Sequence, residues 1–246
     1  NGGILNYGYG DIEGTVKKGN ENCFPGMGFE KGETYTFSMW VRGAVDTTAT
    51  ITVYGGGSSE AEGMYNGAYE VGKATLDINT TGDGWQKVSV PVTIERDVAD
   101  ENELTADGFA DITFADPGTY YLDFISLYPV ETYNNRENGL NKDLVEKLRE
   151  MEPGFMRFPG GCVSEGVGPD NRYNWKNTIG PIEERKLDWN LWCENLYSGG
   201  ESNTYYYQSF GLGYYEYMVL CEDLGCAPMP VMNAGIACEL RETGTY

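Results

Sequence analysis

Carboxylates, thiols and phenols are the groups with which this chain could do chemistry. The 246 residues hold 38 Asp plus Glu, 6 Cys and 19 Tyr, but no His. That excludes Ser–His–Asp and Cys–His machinery and every His-ligated metal within the chain. Acid–base work would fall to carboxylates, Lys, Tyr or Cys. The cysteines (Cys23, Cys162, Cys193, Cys221, Cys226, Cys238) form no CxxC pair and no framework spacing, and read as reduced, structural residues. One segment concentrates site-like features. Phe155–Phe158 is a short apolar run followed directly by Pro159-Gly160-Gly161-Cys162. Two glycines after a strand allow a sharp turn and close approach of a ligand to the backbone. Arg157 projects from that strand, either as a structural ion-pair partner or toward a substrate.

Two kinds of element must position these residues. Residues 1–130 read as short strands. Tyr35, Phe37, Met39 and Val41 alternate with Thr36, Ser38, Trp40 and Arg42, the period of a half-buried strand. Further strands are predicted at Thr50–Tyr54 (closed by Gly55-Gly56-Gly57), Trp85–Ile94, Phe109–Ala115 and Thr119–Leu127, with a turn at Asp116-Pro117-Gly118. Strands at such spacing imply an all-β sandwich or jelly roll. Residues 131–139 are polar and Asn-rich and read as a linker.

From residue 140 the period changes. Leu140, Leu144, Val145, Leu148 and Met151 recur at helical spacing before Pro153-Gly154, and a second helix is predicted over Phe210–Leu224, ended by Gly225. An apolar strand over Ala227–Met232 follows. Helices alternating with apolar strands imply parallel βα units. The long stretch 159–209 between strand and helix exceeds an ordinary connection and reads as functional. A closed β/α barrel needs eight strands, so residues 140–246 would form an incomplete (β/α)8 barrel.

The formal net charge is 17 − 38 = −21, which argues against nucleic acid and anionic membranes as partners. No apolar run approaches the ~20 residues of a membrane span. The chain starts with Asn and reads as a processed or truncated end.

The motifs themselves carry a resemblance. Arg157-Phe158-Pro159-Gly160-Gly161-Cys162-Val163-Ser164-Glu165-Gly166, then Tyr173-Asn174-Trp175-Lys176-Asn177-Thr178-Ile179-Gly180-Pro181, Gln208-Ser209-Phe210-Gly211 and Val231-Met232-Asn233-Ala234-Gly235 resemble, in order, stretches of the α-L-arabinofuranosidases of glycoside hydrolase family 51. The resemblance implies the second and third strands of the barrel over residues 139–240. It also likens residues 1–130 to an inserted carbohydrate-binding-module-like jelly roll. Cys162 then matches a position that contacts the arabinofuranosyl ring, or packs beneath the turn. Glu165 matches the acidic position that follows it, which either binds substrate or supports the helix or loop. Trp175 would line the site, Arg157 could reach substrate, and Asn233 could bind substrate or orient a neighbour. In the β domain, Trp40 is either a sugar-stacking platform or a core residue, and Asp123 is a candidate ligand for a structural calcium ion; no other cofactor is expected. The family's two catalytic glutamates lie on later strands, the acid/base directly after an Asn. Asn102-Glu103 does not sit at a barrel strand end, so the pair is expected beyond Tyr246 and the chain alone is expected to be inactive. Implied partners are plant cell-wall polysaccharide or arabino-oligosaccharides, such as arabinoxylan and arabinan, with an extracellular or periplasmic location favoured and self-association open. A non-catalytic carbohydrate-binding protein is the alternative.

Overall fold

The computed structural model describes residues 3–6, 27–55, 68–79, 84–98, 108–189, 191 and 207–238. Cys23, Gly56, Gly57, Asn102, Glu103 and Cys193 lie outside the described residues. The chain divides into two compact units, Asn1–Lys142 and Asp143–Tyr246.

The first unit is a sandwich of two antiparallel sheets. One has the order β1 (Gly3–Asn6), β6 (Phe109–Phe114), β3 (Thr47–Gly55), β4 (Tyr69–Ile78); the other runs β5 (Gln86–Thr93), β2 (Thr34–Gly43), β7 (Tyr120–Pro129). Each strand turns one set of alternate side chains inward, as the pleat requires. Phe37, Met39 and Val41 of β2 face Ala49, Ile51 and Val53 of β3 across a core completed by Val71, Ile78, Val92 and Ile112. The sequence placed β2, β3, β5, β6 and β7 within one to three residues of these bounds.

It did not find β1 or β4, and β4 shows why. Val53 pairs with Gly72 while Tyr54 pairs with Glu70, so Val71 is an extra residue in the ladder. That bulge reverses the phase along the strand. Val71 points inward, and so do Leu76 and Ile78, although the spacing from Val71 to Leu76 is odd. No period-2 window spans both halves.

Residues 131–139, read as a linker, fold into a compact turn. The Thr132 hydroxyl donates to Arg136 O at 2.5 Å, and Tyr133 N–H to Leu140 O at 2.9 Å. Asn134, Asn135 and Asn138 all have φ between 52° and 56°. Asn tolerates the left-handed region better than other side-chain-bearing residues, which accounts for the Asn-rich composition.

In the second unit, α1 (Lys142–Glu150) leads to β8 (Phe155–Phe158), then to α2 (Cys162–Glu165), the two-residue strands β9 (Asp188–Trp189) and β10 (Tyr207–Gln208), α3 (Tyr214–Leu224) and β11 (Ala227–Pro230). β8 and β11 pair in parallel, Phe155 opposite Ala227 through Phe158 opposite Pro230. The α3 helix begins four residues later than the sequence pattern suggested. Phe210 is buried like a helical stripe residue but has φ 56°, which a helix cannot hold. At the other end, Gly225 sits at φ 67°, its N–H bonded to Glu222 O and Cys226 N–H to Cys221 O. This is the double hydrogen bond of a glycine-terminated helix.

The core of the first unit yields a direct test. Replacing Phe37, 1% exposed, with Ala removes a buried ring. The expected cost is about 3–5 kcal/mol. Thr36→Ala, exposed on the same strand, should cost less than about 0.5 kcal/mol. Peptide-resolved hydrogen exchange across Thr34–Gly43 in the whole chain measures both.

Candidate functional site

The two parallel strands end side by side, and the chain leaves β8 through a cis Phe158–Pro159 peptide into Gly160 and Gly161. Val231 N–H still donates to Phe158 O at 2.6 Å, so the pairing continues one residue past β11. Ser164, 1% exposed, fastens the turn from inside: its hydroxyl reaches Gly160 O at 2.6 Å and Val231 O at 3.4 Å. Gly166 ends α2 at φ 69°, and a Cβ there would lie 2.6 Å from Asn171 C and Arg172 N, so only glycine fits.

Asn233 closes the arrangement from the β11 side. Its Nδ2 donates to the carbonyls of Ser164, Glu165 and Ile236, each at 3.1 Å, and its Oδ1 accepts from Gly235 N–H at 2.6 Å. Cys238 N–H adds a bond to Gly166 O at 2.9 Å. The loop after β11 is thus sewn onto α2. Asn233 thereby spends its amide on backbone groups of α2 and of its own loop. Cys162 and Glu165 are half-buried and one helical turn apart, and the buried Cys238 comes alongside them, the three ligand atoms lying within 4.8 Å of one another. Arg157 is exposed on β8, with Nη2 3.9 Å from where a Cβ of Gly161 would sit, and it forms no ion pair among the described residues.

The segment that follows is held by two buried polar groups. Thr178 is fully buried; its hydroxyl donates to Trp175 O at 2.9 Å and accepts from Tyr214 N–H at 3.0 Å, leaving the Tyr173 hydroxyl, 3.2 Å away, to donate to it. Burial pushes the Tyr173 and Tyr217 phenols up, so both stay neutral. Arg185, with 3% of its side chain exposed, meets Glu216 in a two-pronged pair at 2.7 and 2.9 Å. Its remaining bonds go to Gly180 O and Phe210 O. Glu216 also accepts from Gly213 N–H at 2.9 Å, at the start of α3. The helix so placed presents Tyr217 stacked on Phe158 at 4.5 Å, and Tyr214 at 5.5 Å from the Trp175 ring. Trp175 itself remains 36% exposed, with the Lys176 ammonium 5.9 Å from its ring.

In the first unit Trp40 lies on the sheet face opposite the core, half-buried, with its Nε1 buried and without a hydrogen-bond partner among the described residues. Arg42 on the same face has Trp85 at 5.3 Å and Tyr121 at 4.5 Å from its guanidinium, a cation–π arrangement. Asp123 is exposed, and its Oδ1 accepts from Phe124 N–H at 2.7 Å, where a bulge in the β2–β7 pairing puts Phe124 at φ 43°. Sequence reading missed Cys238, Glu216, Trp85 and Tyr121. For Glu216 a signal existed, since it stands three residues after a glycine at a helix start. For Cys238 none did.

Comparison with known proteins gives these positions a context. A family described as the α-L-arabinofuranosidase 1 domain matches residues 147–245. The extracellular exo-α-L-arabinofuranosidase of Streptomyces chartreusis is 34% identical over 220 residues, 85% of this chain and 22% of that protein. The α-L-arabinofuranosidase A of Aspergillus kawachii is 35% identical over 231 residues, covering 93% and 32%. The α-L-arabinofuranosidase 1 of Arabidopsis thaliana is 30% identical over 219 residues, covering 86% and 27%. The solved structure of an arabinose-bound MgGH51 α-L-arabinofuranosidase superposes with a TM-score of 0.66 at 23% identity, over 86% of this chain and 31% of that one, and shows a shared fold. The chain therefore spans 22–32% of the length of these curated relatives.

Two outcomes follow from the buried groups. Glu216→Ala strands the Arg185 guanidinium, and should cost the second unit about 3–5 kcal/mol, read from hydrogen exchange over α3. Burial, then a hydrogen bond with Cys226 and its charge, push the Cys221 thiol up to about 11. At pH 8 about one Cys221 in a thousand is thiolate, so alkylation followed by mass spectrometry should find it far slower than the half-buried Cys162.

Proposed function

We propose that the chain is part of an α-L-arabinofuranosidase of glycoside hydrolase family 51, and that it forms part of the substrate-facing end of an enzyme that removes terminal arabinofuranosyl groups from arabinoxylan or arabinan. The observation that carries this reading is the pair of parallel strands beyond whose ends Cys162, Glu165 and Asn233 come together, Asn233 bonding the Ser164 and Glu165 carbonyls. In β/α barrels the C-terminal strand ends build the active face. The Trp175 ring supplies an apolar platform for a sugar face, with its N–H free to bond a hydroxyl. Cys162 and Arg157 stand at the rim of the turn as further sugar contacts, while Asn233 keeps that turn in place.

The reaction would be a retaining double displacement. Two carboxyl groups about 5–5.5 Å apart act as nucleophile and acid/base, with a glycosyl-enzyme between the steps. Those glutamates would come from later strands, beyond Tyr246, so the 246-residue chain would hold sugar without cleaving it. An extracellular location would match that of the Streptomyces relative, an extracellular exo-α-L-arabinofuranosidase.

A second reading concerns the first unit. The exposed rings of Trp85 and Tyr121 around Arg42, with the half-buried Trp40 on the same sheet face, are suited to stacking on polysaccharide. Titration of the chain with xylan or arabinan, followed by tryptophan fluorescence, tests it. Trp85→Ala should abolish any response, and a response that survives it would place the sugar elsewhere.

The main proposal is tested by extending the chain through the full barrel and assaying an aryl α-L-arabinofuranoside. Release is expected. Trp175→Ala should raise KM by roughly tenfold, the worth of about 1.4 kcal/mol of stacking, with a smaller effect on kcat. A folded, extended enzyme that releases no arabinose would overturn the substrate assignment.

A further inference from the structure

We propose that Cys162, Glu165 and Cys238 form a binding site for a thiophilic divalent cation, with zinc as the natural occupant. The two Sγ atoms and a carboxylate oxygen lie within 4.8 Å of one another. A tetrahedral zinc ion with bonds of about 2.3 Å to sulfur and about 2.1 Å to oxygen sets its ligands about 3.5–3.8 Å apart, so a closing movement of about an ångström completes the site. Among the described residues no other group of three such side chains gathers. The Cys221–Cys226 pair offers a buried thiol held protonated, up to about 11, which opposes metal binding there.

The scaffold for this site is already built. Cys162 and Glu165 stand one turn apart on α2 and so share a face. Cys238 arrives from the loop after β11, whose backbone is fixed to α2 by Cys238 N–H on Gly166 O and by the Asn233 amide on the carbonyls of Ser164, Glu165 and Ile236. Asn233 therefore supports the backbone of both halves of the ligand set without being a ligand itself, the usual task of groups behind a metal centre.

The donor set selects the ion. Thiolates disfavour calcium and magnesium, which take oxygen ligands, and favour zinc. Two thiolates and one carboxylate bring three negative charges to an ion with two positive ones. Three protein ligands among the described residues leave the fourth tetrahedral position unassigned, on the side where Cys162 and Glu165 are partly exposed. Each thiol must lose its proton on binding, so binding releases protons and tightens as pH rises. The site shares Cys162 and Glu165 with the proposed sugar-facing turn, but its test needs no glycosidase activity and only the 246-residue chain.

Cobalt(II) is the probe, because its thiolate complexes absorb in the near ultraviolet and its tetrahedral sites absorb visibly. Titration of the reduced chain under anaerobic conditions should saturate at one cobalt per chain, and zinc should bleach the bands. Cys162→Ser and Cys238→Ser should each weaken the sulfur-to-cobalt band and remove stoichiometric binding. Glu165→Gln should keep the band but lose affinity by at least the 10–100-fold typical of a lost supporting group, and Asn233→Ala should fall within about that range. Cys226→Ser should bind as the parent does. A band that survives Cys162→Ser at full strength, vanishes with Cys226→Ser, or never saturates overturns the proposal. If Cys238→Ser fails to fold by circular dichroism, Glu165→Gln decides, and unchanged affinity in that variant overturns it.

Discussion

A guanidinium that water does not reach must be satisfied by the protein alone, and much of the second unit is arranged around that requirement. Arg185 has five N–H donors, and the structure gives five bonds: two to Gly180 O, one to Phe210 O and two to the Glu216 carboxylate. These acceptors come from three separate stretches of chain. Meeting them fixes the end of the long segment after β8, the turn before α3 and the first turn of α3 at once. Glu216 is shared, since it also caps Gly213, so the helix start and the loop cannot move independently. Tyr214 and Tyr217 take their places from that helix, and through them Phe158 and Trp175 are set. Such a pair contributes little net stability over an apolar substitute. Its effect here is geometric.

The same logic explains what could be read from the sequence. The turn after Phe158 was legible because a short apolar run meets Pro-Gly-Gly, a local signal with a local cause. Inward and outward faces of β2 were legible for the same reason, including the placement of Trp40 away from Phe37 and Met39. The α3 terminus was announced by Gly225. The start of α3 was not, because Phe210 has the hydrophobicity of a helix face and the backbone of a turn. Cys238 was invisible, since its approach to Cys162 depends on a loop folded by Asn233. The Arg185–Glu216 pair joins residues that no spacing rule connects. Local chemistry was readable, and long-range satisfaction of polar groups was not.

The two units bury their apolar residues to different degrees. The sandwich closes its core between sheets and leaves polar and aromatic groups outside. In the second unit Leu144, Met151, Phe155, Met229 and Ile236 stand between 46% and 73% exposed. Parallel strands are ordinarily covered on both faces, and β8 and β11 carry the composition of strands that expect such cover. That composition matches a shared fold with a protein of which this chain covers 31%.

The bulge in β4 has a consequence for chain length. Elsewhere in a two-sided sheet, removing one residue turns every following side chain over and empties the core. At Val71–Gly72 the phase is already offset by one. Without Gly72, the order Val71, Lys73, Ala74, Thr75, Leu76 alternates inward and outward along an ordinary ladder, and Leu76 and Ile78 keep their places opposite Ala49 and Thr47. This strand is therefore where the sandwich can lose a residue and keep its inside.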